Sequence, residues 1–278
     1  MELRNRNILI YIILIVLVAL WILPVWTSML LSTKSPEEYF RQTFYQLPTK
    51  FALIDNFKEA MKTYKVHEHF INSVVYSAFG AVIAIVFASM AGYAIVRLRP
   101  KFNFLLFLII YSGTLFPFQM YLIPLYKMYN SIGLYNTRAG MILIYAALCI
   151  PFSLFVYRGF YITIPKEIED AAKIDGCGPI RAYWSIFLPQ SVAPTAVVAL
   201  FQMTWIWNDL LFGMVLSRTK EVRPVMVAIA SMTGRAGGLV TIIMTAVLFT
   251  SIPTVLLFIL LRKYFITGMA MSISGEQH

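Results

Sequence analysis

Charged residues are scarce in this chain. Asp, Glu, Lys and Arg together make up 13% of its 278 residues, whereas hydrophobic residues make up 59%, and the mean hydropathy is +0.73. A soluble domain must cover its surface with polar groups and therefore carries more charge. The composition excludes an ordinary soluble domain and indicates a membrane protein.

Several groups that enzymes and self-powered transporters need are missing. The sequence has no Gly-Lys pair and therefore no P-loop to hold the phosphates of ATP. The uncharged hydrophobic stretches contain no histidine and no carboxylate. Intramembrane hydrolysis and coupling to an ion gradient both depend on such groups at membrane depth. We therefore expect that the chain is not an enzyme and that its driving force comes from another subunit.

Cysteine and histidine are also rare. Cys149 lies in a hydrophobic stretch and Cys177 in a polar one, so the two form no disulfide framework. His67 and His69 flank Glu68, but no further Cys or His is near, and a zinc site needs three or four ligands. We expect no bound metal. The net charge of +10 fits contact with anionic lipid headgroups, and no basic run is interleaved with aromatics as in a nucleic-acid groove.

Long hydrophobic runs dominate what is present. Six stretches without Asp, Glu, Lys or Arg are long enough to cross roughly 30 Å of hydrocarbon, which takes about 20 helical residues. The first has Pro24-Val25-Trp26 in place of a small-residue cleavage site, so we expect it to remain as a span. We predict an all-α polytopic membrane protein, a single domain over 1–278. Its six spans lie at about 8–31, 70–96, 102–126, 139–157, 188–212 and 240–261.

One polar stretch, residues 165–189, has an ordered helical pattern. Pro165 fits a helix start, and acidic residues crowd the first turns, where carboxylates oppose the helix dipole. Ile168, Ala171, Ala172 and Ile174 are predicted to form a small apolar face. Gly176, followed by Gly178 and Pro179, ends this helix so that a second begins near Ile180. The pattern predicts two short helices at an angle.

The same stretch carries a family resemblance. Asp170-Ala171-Ala172, Gly176, Ile186 and Leu188-Pro189 match the EAA loop of permeases from binding-protein-dependent ABC importers. Arg158-Gly159-Phe160 and Ile174-Asp175-Gly176 resemble the MalG-like subunit of carbohydrate importers. Asp170 stands where the family usually has Glu, which shortens the carboxylate arm, and Cys177 replaces the usual Ala.

The resemblance implies a type I ABC importer permease fold with a cytoplasmic coupling-helix loop. It implies as partners two ATPase subunits that bind ATP and Mg, a second, MalF-like permease subunit and an extracytoplasmic sugar-binding protein. No cofactor is implied for this chain itself. The residues expected to couple it to the ATPase are Glu169, Asp170, Ala171, Ala172, Asp175, Gly176, Ile186, Leu188 and Pro189.

The candidate substrate pathway comes from aromatic and amide residues in two spans. Phe201, Trp205, Asn208 and Phe212 recur at helical spacing, with Asp209 beside them. Aromatic faces pack on sugar rings and amides bind hydroxyls, although such a stripe also suits plain helix packing. In the third span Tyr111 and Gln119 are polar, and Pro117 and Pro124 predict kinks of the kind that line cavities or merely bend a packing helix.

Orientation and function follow from charge and resemblance together. Arg4 and Arg6 precede the first span, and Arg97, Arg99 and Lys101 crowd one short connection, which favours cytoplasmic N- and C-termini in a bacterial cell membrane. The resemblance predicts the permease subunit of an ATP-driven importer for a neutral sugar or oligosaccharide. The alternatives are a permease for another solute such as glycerol phosphate, or a passive channel or structural subunit. A phosphorylated solute would favour Arg or Lys in the spans, which carry none.

Overall fold

The fold is helical throughout the part of the chain that the computed structural model describes, residues 2–233 and 239–274. No strand occurs within those residues, which confirms the all-α prediction. The α-helices are α1 Glu2–Ser32, α2 Pro36–Arg41, α3 Leu53–Lys62, α4 Val66–Tyr93, α5 Asn103–Ser112, α6 Leu122–Ser131, α7 Arg138–Thr163, α8 Lys166–Ile174, α9 Pro179–Ala182, α10 Leu188–Gln190, α11 Val192–Asn208, α12 Leu211–Leu216, α13 Val225–Thr233 and α14 Val240–Ser274. Short π-helical segments at Ala94–Leu98 and Tyr183–Phe187 and a 3₁₀ segment at Phe118–Tyr121 join some of them.

Six membrane spans are present if each bent helix pair counts as one span. The four continuous segments are Asn7–Ser32, Val66–Leu98, Arg138–Thr163 and Val240–Tyr264. The bent pairs are Asn103–Thr114 with Phe118–Ser131, at 89°, and Pro179–Gln190 with Val192–Asn208, at 72°. The predicted interruption of the third span by Pro117 is confirmed, since Pro117 lies in the break. The bend in the fifth falls at Ser191, between Pro189 and Pro194, which both lack the N–H group that a continuous helix uses.

The chain divides into two compact units. The first comprises Met1–His67 with Ala228–Ile252. In it, the side-chain amide of Asn56 donates hydrogen bonds to the carbonyl oxygens of Ser32 and Lys34, at 2.9 and 2.8 Å, and so ties α3 to the end of α1. The apolar side chains of α1 are exposed along most of its length. A helix that is apolar on all sides is stable where lipid or other apolar helices surround it.

The second unit comprises Glu68–Val227 with Pro253–His278 and holds the main core. Small residues on α4 let α7 approach closely, because Ala88 is fully buried and a Cβ on Gly92 would lie 3.1 Å from Cβ of Tyr157. Tyr76 on α4 is also fully buried and donates a hydrogen bond of 2.6 Å to the carbonyl oxygen of Val222. This packing fixes the α4–α7 pair, whose ends carry the candidate sites.

Candidate functional site

Residues 165–189, hereafter the coupling loop, fold as two short helical pieces, as predicted. The first is α8, and the second runs from α9 through the π segment to α10. Gly176 adopts φ 72°, and the amides of Gly176 and Cys177 donate to the carbonyls of Lys173 and Ala172 at 3.0 and 2.9 Å. Glycine reaches this left-handed conformation without strain, and the two bonds close the end of α8.

The motif residues of the coupling loop lie on two different faces. Those exposed to the surroundings are Asp170, Ala171, Asp175, Gly176 and Pro189. Those that face the spans are Glu169, Ala172, Ile186 and Leu188. Ile186 and Leu188 pack against an aromatic cluster that includes Tyr93, Tyr161 and Phe187. The exposed set is available to a partner protein, whereas the second set holds the loop to its own spans.

The predicted apolar face of α8 is wrong in part. Ile168 and Ala172 face the spans, but Ala171 is exposed and Ile174 is 87% exposed. Helical periodicity places residues three, four and seven apart on one side, so Ile168 and Ala172 share their side with Glu169. This side of α8 packs against the spans because Glu169 forms an ion pair there with a buried cation. Ile174 and Ile180, which is 76% exposed, are therefore apolar side chains on the outer surface of the loop.

Arg97 is the buried cation, although its place in the sequence indicated only the orientation of the chain. It lies in the π segment after α4 and is 8% exposed. Its Nη2 donates to the carbonyl oxygens of Tyr161 at 2.6 Å and Ile164 at 2.5 Å, at the carboxyl end of α7. Its Nη1 lies 3.5 Å from Oε2 of Glu169. These four residues, the Arg97 cluster, join α4, α7 and α8. The one available signal was a charge directly after an apolar span.

The charge state of Glu169 is set by its partners. Burial alone would raise the pKa of its carboxyl group, but the hydrogen bond and charge of Lys173, followed by the charge of Arg97, lower that pKa below its usual value of 4.5. Lys173 Nζ donates to Oε1 at 2.6 Å. A carboxyl group whose pKa is lower in the folded state stabilises the fold above its ordinary pKa, and this stabilisation is lost as the pH falls through the lowered value.

We therefore expect Glu169→Gln to destabilise the chain at pH 7 by roughly 1 kcal/mol, because it removes one partly exposed ion-pair partner. The difference from wild type should shrink as the pH falls below about 4.5, where the wild-type carboxyl group also becomes neutral. Thermal unfolding of the detergent-purified chain at several pH values measures this. Glu167→Gln, an exposed carboxylate on the same helix, is the control and should change little. A pH-independent difference for Glu169→Gln would contradict the assignment.

A cavity of about 820 Å³ opens beside α11 in the second unit. Its polar lining residues are Thr204, Asn208, Asp209 and Thr254, and its aromatic ones are Phe118, Phe201, Trp205 and Phe258. No Lys or Arg is among the described residues that line it. Phe118, Phe201 and Trp205 also line a neighbouring cavity of about 230 Å³, which Gln202 borders. An apolar wall with a few polar groups is the usual composition of a site for a small neutral ligand.

Asp209 holds the end of this cavity in shape. Its Oδ2 accepts hydrogen bonds from the hydroxyl of Tyr145 at 2.8 Å and the amide of Gly213 at 3.0 Å, and its Oδ1 accepts one from the amide of Phe212 at 3.4 Å. The carboxylate thereby caps the amino end of α12, which is a separate helix from α11. The prediction that Phe212 continues the aromatic stripe of α11 is consequently wrong, since Phe212 is fully buried against Phe118 and Tyr121.

The predicted pathway residues divide between two places. Phe201, Trp205, Asn208 and Asp209 line the 820 Å³ cavity, but Tyr111 and Gln119 do not. The ring of Tyr111 stacks on those of Phe107 and Phe155, each 5.5 Å away, and Gln119 is exposed elsewhere. Phe118, Thr254 and Phe258 were missed. Phe118 follows the break at Pro117, and Thr254 and Phe258 lie on α14, which meets α11 only through tertiary packing.

The two histidines do not gather further ligands. Nδ1 of His69 lies 3.1 Å from the carbonyl oxygen of Arg223. Within residues 2–233 and 239–274, no three His, Cys, Asp or Glu side chains cluster in a way that could hold a metal ion.

Apolar spans, a cavity with a largely apolar lining and a polar helix pair at the span ends together define a membrane permease subunit. The family described as the binding-protein-dependent transport system inner membrane component matches residues 84–271, and the chain belongs to this family. It is therefore a non-catalytic, multi-pass subunit of an ABC importer, which works with a separate ATPase, a partner permease and a solute-binding protein.

Two relatives agree with this assignment, and a solved structure shares the fold. The chain is 31% identical to the melibiose/raffinose/stachyose import permease protein MelC of Bacillus subtilis over 89% of each chain. It is 37% identical to a probable ABC transporter permease protein of Pyrococcus horikoshii over 94% of each. The fold is similar to a chain in the crystal structure of a bacterial ABC transporter that imports the acidic polysaccharide alginate. That match has a TM-score of 0.81 at 20% identity and covers 94% of this chain and 97% of the other.

Proposed function

We propose that this chain is the MalG-like permease subunit of an ATP-driven importer for a neutral sugar or oligosaccharide. The observation that carries the proposal is the 820 Å³ cavity, which has aromatic walls, a few polar groups and no Lys or Arg among the described residues that line it. Trp205 and Phe201 offer faces for sugar rings, and Asn208 and Thr204 offer groups for hydroxyls. The Bacillus subtilis relative is named for the import of three sugars, which supports the same substrate class.

The proposed mechanism is rigid-body transmission. Two ATPase subunits bind ATP with Mg, and one of them holds the exposed face of the coupling loop, including Asp170, Asp175 and the apolar tips Ile174 and Ile180. Closure of the ATPase pair pushes α8, and the Arg97 cluster passes the displacement to α4 and α7. The spans then turn the cavity from one side of the membrane to the other. In this proposal the N- and C-termini are cytoplasmic, and a MalF-like subunit completes the cavity.

Reconstitution tests the proposal directly. Proteoliposomes that contain this chain, its second permease subunit and the ATPase subunits should accumulate labelled oligosaccharide when the loaded binding protein is outside and ATP is inside. Omission of ATP or of the ATPase should abolish accumulation. Solute movement through the chain without an ATPase would favour a passive channel. Preferential uptake of glycerol phosphate would overturn the sugar assignment.

Trp205→Ala should lower the uptake rate about tenfold at saturating loaded binding protein. A lost stacking contact worth roughly 1.4 kcal/mol corresponds to that factor. Trp205→Phe retains a flat ring and should lose less. Trp21→Ala removes a tryptophan that is 83% exposed on α1, outside the cavity, and serves as the matched control. Equal rates for Trp205→Ala and wild type would show that the sugar does not pass over this side chain.

A further inference from the structure

A third pocket lies where the ends of α4, α5 and α7 approach the start of α8. It has a volume of about 280 Å³ and is lined by four cationic side chains, Arg97, Arg99, Arg158 and Lys166. These residues come from the segment after α4, the end of α7 and the start of α8. We call this site the basic pocket. The basic pocket is separate from the 820 Å³ cavity and from the outer face of the coupling loop.

The positive charge of the basic pocket is only partly balanced. In the described part of the chain, Glu169 forms the one ion pair with these cations, 3.5 Å from Arg97. The Nε atoms of Arg97 and Arg158 are both buried and have no hydrogen-bond partner among the described residues. Arg158 instead lies over the ring of Phe107, 4.5 Å from its centroid. A buried guanidinium N–H without a partner costs free energy, and an anion in the pocket would supply the missing acceptor.

The backbone between α4 and α5 also adds positive potential to the basic pocket. Arg99 and Phe102 both adopt left-handed conformations, with φ of 46° and 67°, which turn the chain sharply between α4 and α5. Asn103, the first residue of α5, consequently lines the pocket. The amino end of a helix carries a partial positive charge. The amides of Asn103 and Phe104 already donate to the carbonyl of Pro100 and to Oδ1 of Asn103. The phosphate contacts therefore come from the guanidinium forks, which match phosphate oxygens in geometry.

The apolar side chains around the basic pocket favour a lipid over a free anion as its ligand. Phe104 and Ile162 line the pocket and are 59% and 54% exposed, and Leu105 and Leu108 continue the exposed apolar surface along α5. An exposed apolar surface on a membrane span accommodates acyl chains, and basic pockets between span ends suit anionic headgroups. The phosphate and the acyl chains of one molecule would thus meet matching surfaces at the same place.

We propose that the basic pocket binds the phosphate headgroup of an anionic phospholipid, with its acyl chains along the outer faces of α5 and α7. The bound phosphate neutralises Arg99 and Arg158 beside the Arg97 cluster. The lipid is therefore part of the structure that supports the coupling loop from the membrane side.

Lipid retention by the complete transporter tests this inference. The transporter is purified from vesicles of 30% phosphatidylglycerol and 70% phosphatidylcholine, and the lipids that remain bound are counted by native mass spectrometry. Wild type should retain phosphatidylglycerol in preference to phosphatidylcholine. Arg99→Gln, at an exposed residue, should weaken retention about fivefold, and the double variant R99Q/R158Q more strongly.

Two controls give the outcomes that overturn the inference. Lys127→Gln removes an exposed cation on α6, outside the basic pocket, and should leave retention unchanged. If R99Q and R99Q/R158Q retain as much phosphatidylglycerol as wild type, the pocket does not bind lipid. If millimolar inorganic phosphate displaces the lipid, or binds equally well, the site takes a free anion and the lipid assignment is wrong. Sugar specificity does not enter these measurements, so they stand apart from the proposed function.

Discussion

Asp170→Arg is expected to reduce ATP-driven uptake by the reconstituted transporter at least tenfold while the chain still folds and inserts. Asp170 is exposed on the outer face of α8, with its carboxylate 3.6 Å from Lys173 and a side chain 67% exposed. Substitutions at such positions usually change stability by no more than about 0.5 kcal/mol. A reversed charge in a protein interface costs several times more, and about 1.4 kcal/mol already corresponds to a tenfold change.

The experiment compares uptake, ATP hydrolysis and co-purification of the ATPase. Asp170→Glu keeps the carboxylate and places it on the longer side chain that is usual in the family. This variant should keep most of the uptake. Glu59→Arg makes the same charge reversal on an exposed residue of α3 and should behave like wild type. If Asp170→Arg imports sugar at the wild-type rate, the ATPase does not hold this face of the coupling loop, and the proposed transmission path fails.

Arg97→Met is expected to have the largest effect on stability, about 3 to 5 kcal/mol, the usual cost of removing one partner from a buried charged network. The substitution keeps an apolar chain of similar length. It leaves the carbonyls of Tyr161 and Ile164 without this donor and leaves the carboxylate of Glu169 with Lys173 alone. It also removes the guanidinium from the ring of Phe187, 5.1 Å away. Since domains have total stabilities of roughly 5 to 15 kcal/mol, such a loss is severe.

Unfolding of the purified chain and uptake by the complete transporter measure the effect of Arg97→Met. Arg97→Lys should be intermediate, because one ammonium group cannot reproduce the planar fork that reaches two carbonyls and a carboxylate. Lys101→Met removes an exposed cation four residues later and is the matched control. A stability within 1 kcal/mol of wild type for Arg97→Met would show that the Arg97 cluster does not hold α8 to α4 and α7.

The coupling loop shows how far sequence reasoning reaches. Gly176 predicted the end of α8 correctly because a glycine stop is a local property of the backbone. The apolar face of α8 was partly wrong because it assumed that the apolar residues face inward. Glu169 turns inward to meet Arg97, which is 72 residues away in the chain. The periodicity of apolar residues within α8 cannot predict a contact with a residue so far away in the sequence.

The residues that line the 820 Å³ cavity were likewise predicted only in part from the sequence. Trp205 and Asn208 were identified because aromatic and amide side chains recur along one helix, and the structure places both in the cavity wall. Phe212 was assigned to that stripe and lies elsewhere, because Asp209 ends the helix and caps another. Thr254 and Phe258 were missed because α14 approaches α11 only in the folded chain.

The sequence by itself determined that the chain crosses a membrane and that it carries a polar helical motif between two spans. Hydropathy, charge and motif spacing are local quantities that a sequence displays directly. The tertiary structure decided the bends of 89° and 72°, the burial of Arg97, the two faces of the coupling loop and the membership of both pockets. These depend on which distant side chains meet, and packing settles that only when the whole chain has folded.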